Sequence, residues 1–490
     1  MADASGAPSL YLGFDSSTQS LKATAVQASD LQVFKTYQVK FDDDLPHFKT
    51  SGGMSTTAQG AGAARVTSPV LMWFEAMDLL LGRMAADNFP FQQVLATSGS
   101  GQQHGSVYWA CGAAATLGQL DPAKLVAPQL VQAFARSESP IWADSSTGPQ
   151  CAALEAAVGG AEVLARATGS RAYERFTGNQ IAKIVAEEKA EVYDRCERIS
   201  LVSSAMCSLF LGSYAPLDTS DGSGTNLNDL QRDGGLTWYL PALEAVAGPG
   251  SAAEGLRRRL GPGLVESHRT LGTVAPYFVR RYGFSPGCVL VAWSGDNPCS
   301  LAGLGLQAPG DVAVSLGTSD TMFAMMAKAS PGSDGHVLRN PVDPSSFMGM
   351  LCFKNGALAR ERVLIKCCGG DWAKWSELLG QRPAGNSGAV GFYYESPEIT
   401  PTTGDKSGIW RFDEAGVSVD SFDAATEVRA VLEGKFLAMR AFAQGIGMDP
   451  AEVKRIIATG GASANQSILQ VLSDAWLCLG IFFYFSFGLK

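Results

Sequence analysis

Two segments of the chain, Tyr11–Gln27 and Asp311–Met325, share one pattern of apolar and polar positions. Each consists of an apolar run, a short turn of Ser, Thr and Gly residues, and a second apolar run. This pattern predicts a strand, a tight turn and a second strand. A concave turn presents backbone N–H groups and hydroxyls, which suit phosphate oxygens. We therefore expect two related domains that hold a nucleotide between them, although an ordinary hairpin is the simpler explanation of either segment alone.

The remaining pattern alternates predicted strands with predicted helices, which is typical of an α/β protein. Between Ile199 and Leu211 the periodicity fits a strand and a buried helix equally well. We expect a domain boundary near Gly305–Gly310. The predicted strands are Leu10–Asp15, Leu21–Gln27, Val33–Val39, Gln93–Thr97, Cys288–Trp293 and Arg455–Ala458, and the predicted helices are Pro69–Met84, Gly148–Thr168 and Ala424–Gly447.

Length and composition narrow the classes of protein. A chain of 490 residues is too long for one ordinary core, so two large domains are expected. The net charge of −9 argues against a nucleic-acid partner. Ten cysteines without metal-ligand spacing favour a reduced, cytoplasmic protein. Met1–Leu10 lacks the basic and apolar regions of a signal peptide.

The C-terminal segment Leu477–Leu489 is uncharged and strongly aromatic. It falls short of the roughly 20 residues that a helix needs to cross a bilayer. We expect a buried strand, an aggregation-prone tail or an unnatural chain end, and no membrane anchor.

Two aspartates are candidates for the chemistry. Asp296 follows an apolar strand in a Gly-Asp-Asn turn, where a carboxylate is partly desolvated and oriented as a general base requires. The alternative for Asp296 is a helix N-cap. Asp15 lies in the first hairpin where the second has Gly317, which suggests a single Mg²⁺ site beside Asp15.

Three polar turns are candidates for binding a small polar substrate. Gln103 and His104 follow flexible glycines, and amide and imidazole groups can both donate to and accept from sugar hydroxyls; a satisfied loop histidine is the alternative. Asp144 follows an aromatic residue and can take hydroxyls, or it can cap the next helix. The glycine-rich turn Thr459–Asn465 lets backbone approach a base or ribose closely, but alone it is a weak signal.

Taken in order, these segments resemble the FGGY family of carbohydrate kinases, and most of all its eukaryotic-type xylulose kinases. The resemblance covers roughly residues 9–475. It rests on FDSSTQS (14–20), SGSGQQHGSVYW (98–109), SPIWADSST (139–147), TGSRAYERFTGNQIAKI (168–184), SDGSGTNL (220–227), WSGDNPCSLAG (293–303), SLGTSDT (315–321) and ATGGASANQSILQVL (458–472).

The resemblance implies an α/β fold of two ribonuclease-H-like domains of the actin/hexokinase type, with an active-site cleft between them. It implies ATP-dependent, Mg²⁺-requiring phosphorylation of D-xylulose to D-xylulose 5-phosphate. Asp296 would be the catalytic base and Asp15 would lie near the metal. The other residues whose roles it implies are Gln103, His104, Asp144 and Asn297 for the sugar, and Thr18, Gly317, Thr318, Ser319, Gly460, Gly461, Ala462 and Asn465 for the nucleotide.

The family pattern is lost after Leu472. We expect an N-terminal domain over 9–306, a C-terminal domain over 311–476 that lacks its last strand and helix, and a divergent apolar tail over 477–490. Apolar surface left uncovered in this way would invite aggregation and weaken nucleotide binding. The alternatives are a family kinase acting on ribulose or glycerol, a catalytically weak sugar-binding isoform, and an actin- or Hsp70-like ATPase. The oligomeric state is left open.

Overall fold

The computed structural model describes residues 9–59, 62–404, 406–477 and 481–483. The chain divides into two compact units between Ser300 and Leu301, shortly before the predicted boundary at Gly305–Gly310. No helix in the described part of the chain has the length and apolar character that a membrane crossing requires.

The first unit is built on a seven-stranded sheet in the order β10-β11-β6-β1-β2-β3, with β12 also paired to β6. Strands β1, β2 and β3 form the predicted antiparallel meander, whereas β6 runs parallel to β1 and β11 runs parallel to β6. The bounds of the strands are β1 Leu10–Ser16, β2 Ser20–Gln27, β3 Val33–Lys40, β4 Ser55–Gln59, β5 Gly62–Pro69, β6 Val94–Gly101, β7 Ser106–Ala110, β8 Glu138–Pro140, β9 Cys196–Leu201, β10 Thr270–Thr273, β11 Val289–Val291 and β12 Ser294–Gly295.

The second unit repeats this arrangement in a six-stranded sheet, β15-β16-β14-β13-β19-β20. Strands β13, β14 and β16 form an antiparallel meander, and β19 runs parallel to β13. The order β16-β14-β13-β19-β20 thus corresponds to β3-β2-β1-β6-β11 of the first unit. The bounds are β13 Asp311–Leu316, β14 Asp320–Met326, β15 His336–Arg339, β16 Phe347–Phe353, β17 Val390–Tyr394, β18 Gly408–Phe412, β19 Arg455–Thr459 and β20 Ile481–Phe483.

The predicted fold class is confirmed, because both units have the ribonuclease-H-like sheet that the resemblance implied. Strand β20 comes from the segment predicted to be a divergent tail, and it pairs in parallel with β19 in the place that β11 takes in the first sheet. The predicted absence of a last helix concerns residues 484–490, which lie outside the described residues.

Helices pack against both sheets. Ile199–Leu211, where the periodicity was ambiguous, contains both elements, since β9 ends at Leu201 and helix α8 begins at Val202. The predicted helix over Gly148–Thr168 is two helices separated by Gly159 and Gly160, whose positive φ angles stop the first one. The helices are α1 Phe41–Asp44, α2 Val70–Ala86, α3 Ala113–Gly118, α4 Val126–Leu130, α5 Gly148–Val158, α6 Ala161–Thr168, α7 Thr177–Glu187, α8 Val202–Leu211, α9 Thr219–Gly222, α10 Leu240–Ala247, α11 Ser251–Leu260, α12 Pro276–Tyr282, α13 Asp296–Gly303, α14 Ala357–Cys368, α15 Trp372–Gly380, α16 Ala424–Gly445 and α17 Gln466–Trp476.

The core of the first unit is rich in aromatic side chains around β1 and α8. Phe14 lies 5.7 Å from Trp293 between ring centroids, and Phe210 stacks on Phe278 at 4.3 Å. Buried aromatic pairs of this kind add about 0.5–1.5 kcal/mol beyond the burial of their area. They fix the carboxyl ends of β1 and β11, where the candidate residues lie.

Candidate active site

The carboxyl ends of neighbouring strands bring the predicted residues of the first unit together. Asp15 pairs in register with Ser100 of the parallel strand β6, and the Ser100 hydroxyl donates to Asp15 Oδ1 at 2.8 Å. Strand β12 pairs in parallel with the end of β6 and leads directly into Asp296. Ligand sites of open α/β sheets form at such edges, because side chains there converge while the strands supply rigidity.

Asp296 is oriented by its neighbours through one oxygen. Its Oδ1 accepts the backbone N–H of Gln103 at 3.2 Å and that of Asn297 at 2.9 Å. Burial, with a contribution from the negative charge of Asp15, raises the pKa of Asp296 to about 6. A carboxylate of this basicity is deprotonated at neutral pH yet accepts a proton more readily than an ordinary aspartate does.

Two buried carboxyl groups that the sequence did not single out lie behind this turn. Asp218 accepts the Ser294 hydroxyl at 2.8 Å, and Asp221 accepts the Ser203 hydroxyl at 2.5 Å. Burial raises the pKa of both groups, and for Asp221 the charge of Asp218 adds to the effect. Gly295 is required between them and the site, because a Cβ there would lie 2.7 Å from Asp221 Oδ1. The turn-forming residues of 218–228 predicted a loop, and they did not indicate that Asp218 and Asp221 would be buried.

Gln103 and Asn297 form a pair next to the candidate base. The Asn297 side-chain amide donates to Gln103 Oε1 at 2.9 Å, and Gln103 is almost fully buried. Gln103 and Asn297, which the resemblance implied as sugar-binding residues, thus both lie next to Asp296, although they are 194 positions apart in the chain.

His104 is a buried, neutral imidazole in a strained backbone position. Its φ is +71°, its Nδ1 lies 2.9 Å from the carbonyl oxygen of Gly224, and its ring stacks on Phe176 at 4.5 Å. Burial, together with the nearby charge of Arg175, lowers the pKa of His104 to about 3. Since a carbonyl can only accept, Nδ1 carries the proton and Nε2 is left as an acceptor. In this tautomer Nε2 can accept a hydrogen bond from a hydroxyl group.

Asp144 is buried and already bonded within the first unit. Its Oδ1 accepts the Ser146 hydroxyl at 2.7 Å and the Gln180 amide at 2.8 Å, and its Oδ2 accepts the N–H of Val66 at 2.7 Å. Burial would raise the pKa of Asp144, but these hydrogen bonds outweigh it, so the pKa lies below its ordinary value. The carboxylate is therefore ionised and rigid.

Helix α7 connects Asp144 with His104. The amide of Gln180 holds Asp144, while the hydroxyl of Thr177 donates to the carbonyl oxygen of His104 at 3.0 Å. Gln180 and Thr177 were not identified from the sequence. Nothing in a single amphipathic helix distinguishes a residue that supports a site from one that packs in the core.

Thr18 lies at the tip of the first hairpin, where it contacts Trp142. The indole Nε1–H donates to the Thr18 hydroxyl at 2.9 Å, and nearly half of the Trp142 side chain is exposed. The turn is closed by the N–H of Ser17 on the carbonyl of Ser20 at 3.0 Å. Gly53 must be glycine here, since its φ is +75° and a Cβ would lie 1.9 Å from the Thr18 carbonyl oxygen.

Five of the seven nucleotide candidates of the second unit line one cavity of about 580 Å³, within the usual range for small-molecule sites, whereas Ser319 and Gly460 are not among its lining residues. Two turns form part of its wall, one after β13 and one after β19. Gly460 lets these turns approach each other, because its φ is +85° and a Cβ would lie 2.6 Å from the Leu316 carbonyl oxygen. The lining residues are Leu316, Gly317, Thr318, Ala357, Arg360, Glu361, Trp372, Gly461, Ala462, Ala464 and Asn465.

Of the residues that line this cavity, Asn465 was predicted from the sequence, whereas Trp372 and Arg360 were not. Asn465 was predicted from the resemblance, and in the structure its side chain also caps α17 by accepting the N–H of Ser467 at 2.9 Å. Trp372 was missed, although its side chain is 41% exposed beside the cavity. Arg360 was missed as well, because its partners come from a distant hairpin.

The carboxylate of Asp15 suits a metal ion whose remaining ligands are phosphate oxygens and water. Within the described ranges, no cluster of three or more His, Cys, Asp or Glu side chains is arranged to hold a metal ion. Burial raises the pKa of Asp15, and the hydrogen bond from Ser100 and the charge of Lys22 do not offset it. A desolvated carboxylate suits Mg²⁺, which commonly takes one or two carboxylates and completes its shell with water and phosphate oxygens.

Known proteins resemble this chain over most of its length. Residues 312–478 match the C-terminal domain of the FGGY family of carbohydrate kinases. The xylulose kinase of Mus musculus is 50% identical over 465 residues, covering 95% of this chain and 81% of the relative. Xylulose kinase 2 of Arabidopsis thaliana is 49% identical over 490 residues, covering 98% of this chain and 85% of the relative.

Solved structures with the same fold include two further kinases. The crystal structure of a xyloylose kinase from Brucella ovis superposes with a TM-score of 0.72 at 21% identity, covering 95% of this chain and 84% of that one. Plasmodium falciparum glycerol kinase with ADP superposes with a TM-score of 0.69 at 14% identity, with the same coverage. The chain therefore belongs to the FGGY family of carbohydrate kinases.

Proposed function

We propose that this chain transfers a phosphoryl group from ATP to a hydroxyl of D-xylulose, giving D-xylulose 5-phosphate. The observation that carries the proposal is the oriented, weakly acidic Asp296 in a chain that is 50% identical to a mouse xylulose kinase. The neutral His104 and the rigid Asp144 support a sugar as acceptor, because together they offer hydrogen-bond acceptors to several hydroxyls.

Asp296 would act as the general base. All three hydrogen bonds that its carboxylate accepts in the described part of the chain go to Oδ1, which leaves Oδ2 for the hydroxyl of the sugar. The proton of that hydroxyl moves to Oδ2 as its oxygen bonds to the γ-phosphorus of ATP, while the bond from that phosphorus to the β–γ bridging oxygen breaks and ADP leaves. The N–H groups of Gln103 and Asn297 prevent the carboxylate from turning away, so little reorganisation is needed during the transfer.

The second-unit cavity would hold ATP. Its volume suits a nucleotide, and the turn at Gly317, Thr318 and Ser319 would place backbone amides around the phosphates. Gly460, Gly461, Ala462 and Asn465 would lie at the adenosine, and Trp372, which lines the same cavity, would cover one face of the base. Thr18 of the first hairpin would contact the phosphate chain.

Mg²⁺ would be held by Asp15 and the phosphates, and when bound it offsets negative charge on the transferred group. Ser100 keeps the Asp15 carboxylate oriented by occupying Oδ1. Burial disfavours the ionised form of Asp15 and raises its pKa, and a bound cation would stabilise that form. We therefore place the metal beside Asp15.

A coupled ADP-release assay tests the proposal. The purified chain is supplied with Mg-ATP and, in separate reactions, D-xylulose, D-ribulose, glycerol or no acceptor. We expect turnover that is strongest with D-xylulose. Turnover that is equal with all acceptors, or absent in a chain that binds both ADP and D-xylulose, would contradict the proposal.

A further inference from the structure

The phosphate turn of the second unit ends at a buried acid, Asp320, which pairs with Arg360 of helix α14. Arg360 Nη1 donates to Asp320 Oδ2 at 2.6 Å, and Nη2 donates to Oδ1 at 2.9 Å. Both side chains are almost fully inaccessible to solvent. Burial raises the pKa of Asp320, while the guanidinium counteracts that effect. A two-pronged pair of this kind fixes both groups in one geometry.

The same helix end also holds the carbonyl groups of the turn. The N–H of Ala357 donates to the carbonyl oxygens of Gly317, at 3.0 Å, and Thr318, at 3.1 Å. Arg360 Nη2 adds a second donor to the Gly317 carbonyl at 3.1 Å. The N-cap of α14 is Gly356, which has no side chain to offer, so the turn itself satisfies the first N–H of this helix.

This arrangement decides which backbone groups of the turn remain for a ligand. A turn that binds an anion must direct N–H groups towards it and keep carbonyl oxygens away, since a carbonyl repels a phosphate oxygen. Here the two carbonyls next to the cavity are engaged by α14. Arg360 lines the cavity together with Gly317 and Thr318. Its guanidinium therefore contacts the phosphate turn at the wall of the cavity, where Nη2 donates to the Gly317 carbonyl.

The contact between helix and turn leaves no space for adjustment. A Cβ on Gly356 would lie 2.7 Å from Asp320 Oδ1 and 2.8 Å from the Thr318 carbonyl oxygen. The turn is therefore pressed against the start of α14, and its conformation depends on the groups found there.

We propose that Arg360 is a positioning residue for nucleotide binding: through Asp320 and the Gly317 carbonyl it holds the phosphate turn with its amides directed into the cavity. This inference rests on the proposed function, because it requires that the cavity takes a nucleoside diphosphate or triphosphate. Arg360 is not itself the anion's counter-charge, since Asp320 already neutralises it.

Titration of the purified full chain with Mg-ADP tests the role of Arg360. Arg360→Lys keeps the charge but cannot donate to both Asp320 oxygens and the Gly317 carbonyl in one plane. We expect the Kd for ADP to rise about tenfold or more, the change expected from losing charge-assisted hydrogen bonds. The KM for ATP should rise in parallel, whereas the KM for D-xylulose should stay unchanged.

A matched control is available in the same unit. Arg411 of β18 forms a buried two-pronged pair with Glu427, with Nε–Oε2 at 2.7 Å and Nη2–Oε1 at 2.5 Å, and it is not among the cavity-lining residues. Arg411→Lys should lower the melting temperature about as much as Arg360→Lys does, because each variant disturbs a buried ion pair, but it should leave the Kd for ADP within about twofold of the original chain. Equal Kd values for Arg360→Lys and Arg411→Lys would overturn the proposal.

Asp320→Asn separates positioning from simple charge attraction, and it also covers the case in which Arg360→Lys does not fold. Asparagine preserves the shape of the side chain but releases one guanidinium prong and leaves Arg360 with excess positive charge. Positioning predicts weaker ADP binding, whereas attraction by Arg360 predicts tighter binding. Unchanged or tighter binding would overturn the proposal. Absence of ADP binding by the original chain would instead refute the proposed function.

Discussion

Asp296→Asn should stop catalysis and make the first unit more stable at neutral pH. The ionised carboxylate lies in a partly buried turn near Asp15, and its folded-state pKa is raised from 3.8 to about 6. The fold therefore favours the protonated form, so the charge that the reaction needs is a cost to stability at pH 7. Asparagine removes that charge and keeps an oxygen that can accept the N–H groups of Gln103 and Asn297.

The size of the effect follows from the pKa difference. Each pKa unit corresponds to about 1.36 kcal/mol, so a rise from 3.8 to about 6 corresponds to roughly 3 kcal/mol at most. Partial access of solvent to Asp296 reduces this, and we expect a gain of about 1–3 kcal/mol in the free energy of unfolding at pH 7. For a unit that extends to Ser300 the midpoint of unfolding should rise by roughly 1–2 °C for each kcal/mol, because the entropy of unfolding is about 2.1 cal/mol/K per residue.

Thermal unfolding followed over a range of pH checks the reasoning. The folded-state pKa is raised, so the penalty is complete above about pH 6 and disappears as the pH falls towards 3.8. The stabilisation by Asp296→Asn should follow the same course: full at pH 7 and lost near pH 4. A variant that is less stable at pH 7, or whose gain does not depend on pH, would refute the reasoning. Retained turnover would refute the role of Asp296 as base.

Three further predictions concern the pH profile, the sugar and the nucleotide. kcat/KM should fall as the pH decreases below about 6, because only the deprotonated Asp296 accepts a proton. His104, with a pKa near 3, should add no step to the pH profile between pH 5 and 8. A kcat/KM that stays constant down to pH 5 would contradict the role of Asp296. His104→Ala should raise the KM for D-xylulose about tenfold or more and leave the KM for ATP nearly unchanged, whereas the opposite pattern in steady-state kinetics would place this residue at the nucleotide. Gly460→Ala should weaken ADP binding by about tenfold or more in a titration, because its Cβ would collide with the Leu316 carbonyl at a φ of +85°, and unchanged affinity would remove this turn from the nucleotide site.

Much of the secondary structure could be predicted from the sequence, because it depends on short-range patterns. The meander of β1, β2 and β3 and the long helix α16 follow from apolar periodicity and agree with the predicted bounds within a few residues. The repeated hairpin indicated two related domains, and both sheets have the corresponding strand order. Between Ile199 and Leu211, where the periodicity did not distinguish a strand from a helix, the structure has a strand followed by a helix.

What a residue touches across the chain was not predictable in the same way. The positions of Asp296, Gln103 and Asn297 were indicated by motif resemblance, but the bonds that orient the carboxylate arise only when β6 and β12 pair. The burial that raises the pKa of Asp296 is likewise a property of the assembled unit, since desolvation depends on every element packed around the group.

The sequence by itself thus determined the elements, the family and the chemical types of the candidate residues, because these depend on local patterns and on ordered motifs. Only the tertiary structure decided the protonation of His104, the burial of Asp218 and Asp221 behind the base, and the pairing of Arg360 with Asp320. The physical reason is that hydrogen bonds and desolvation act over a few ångströms in space. Residues that share such an environment need not be near one another in the chain.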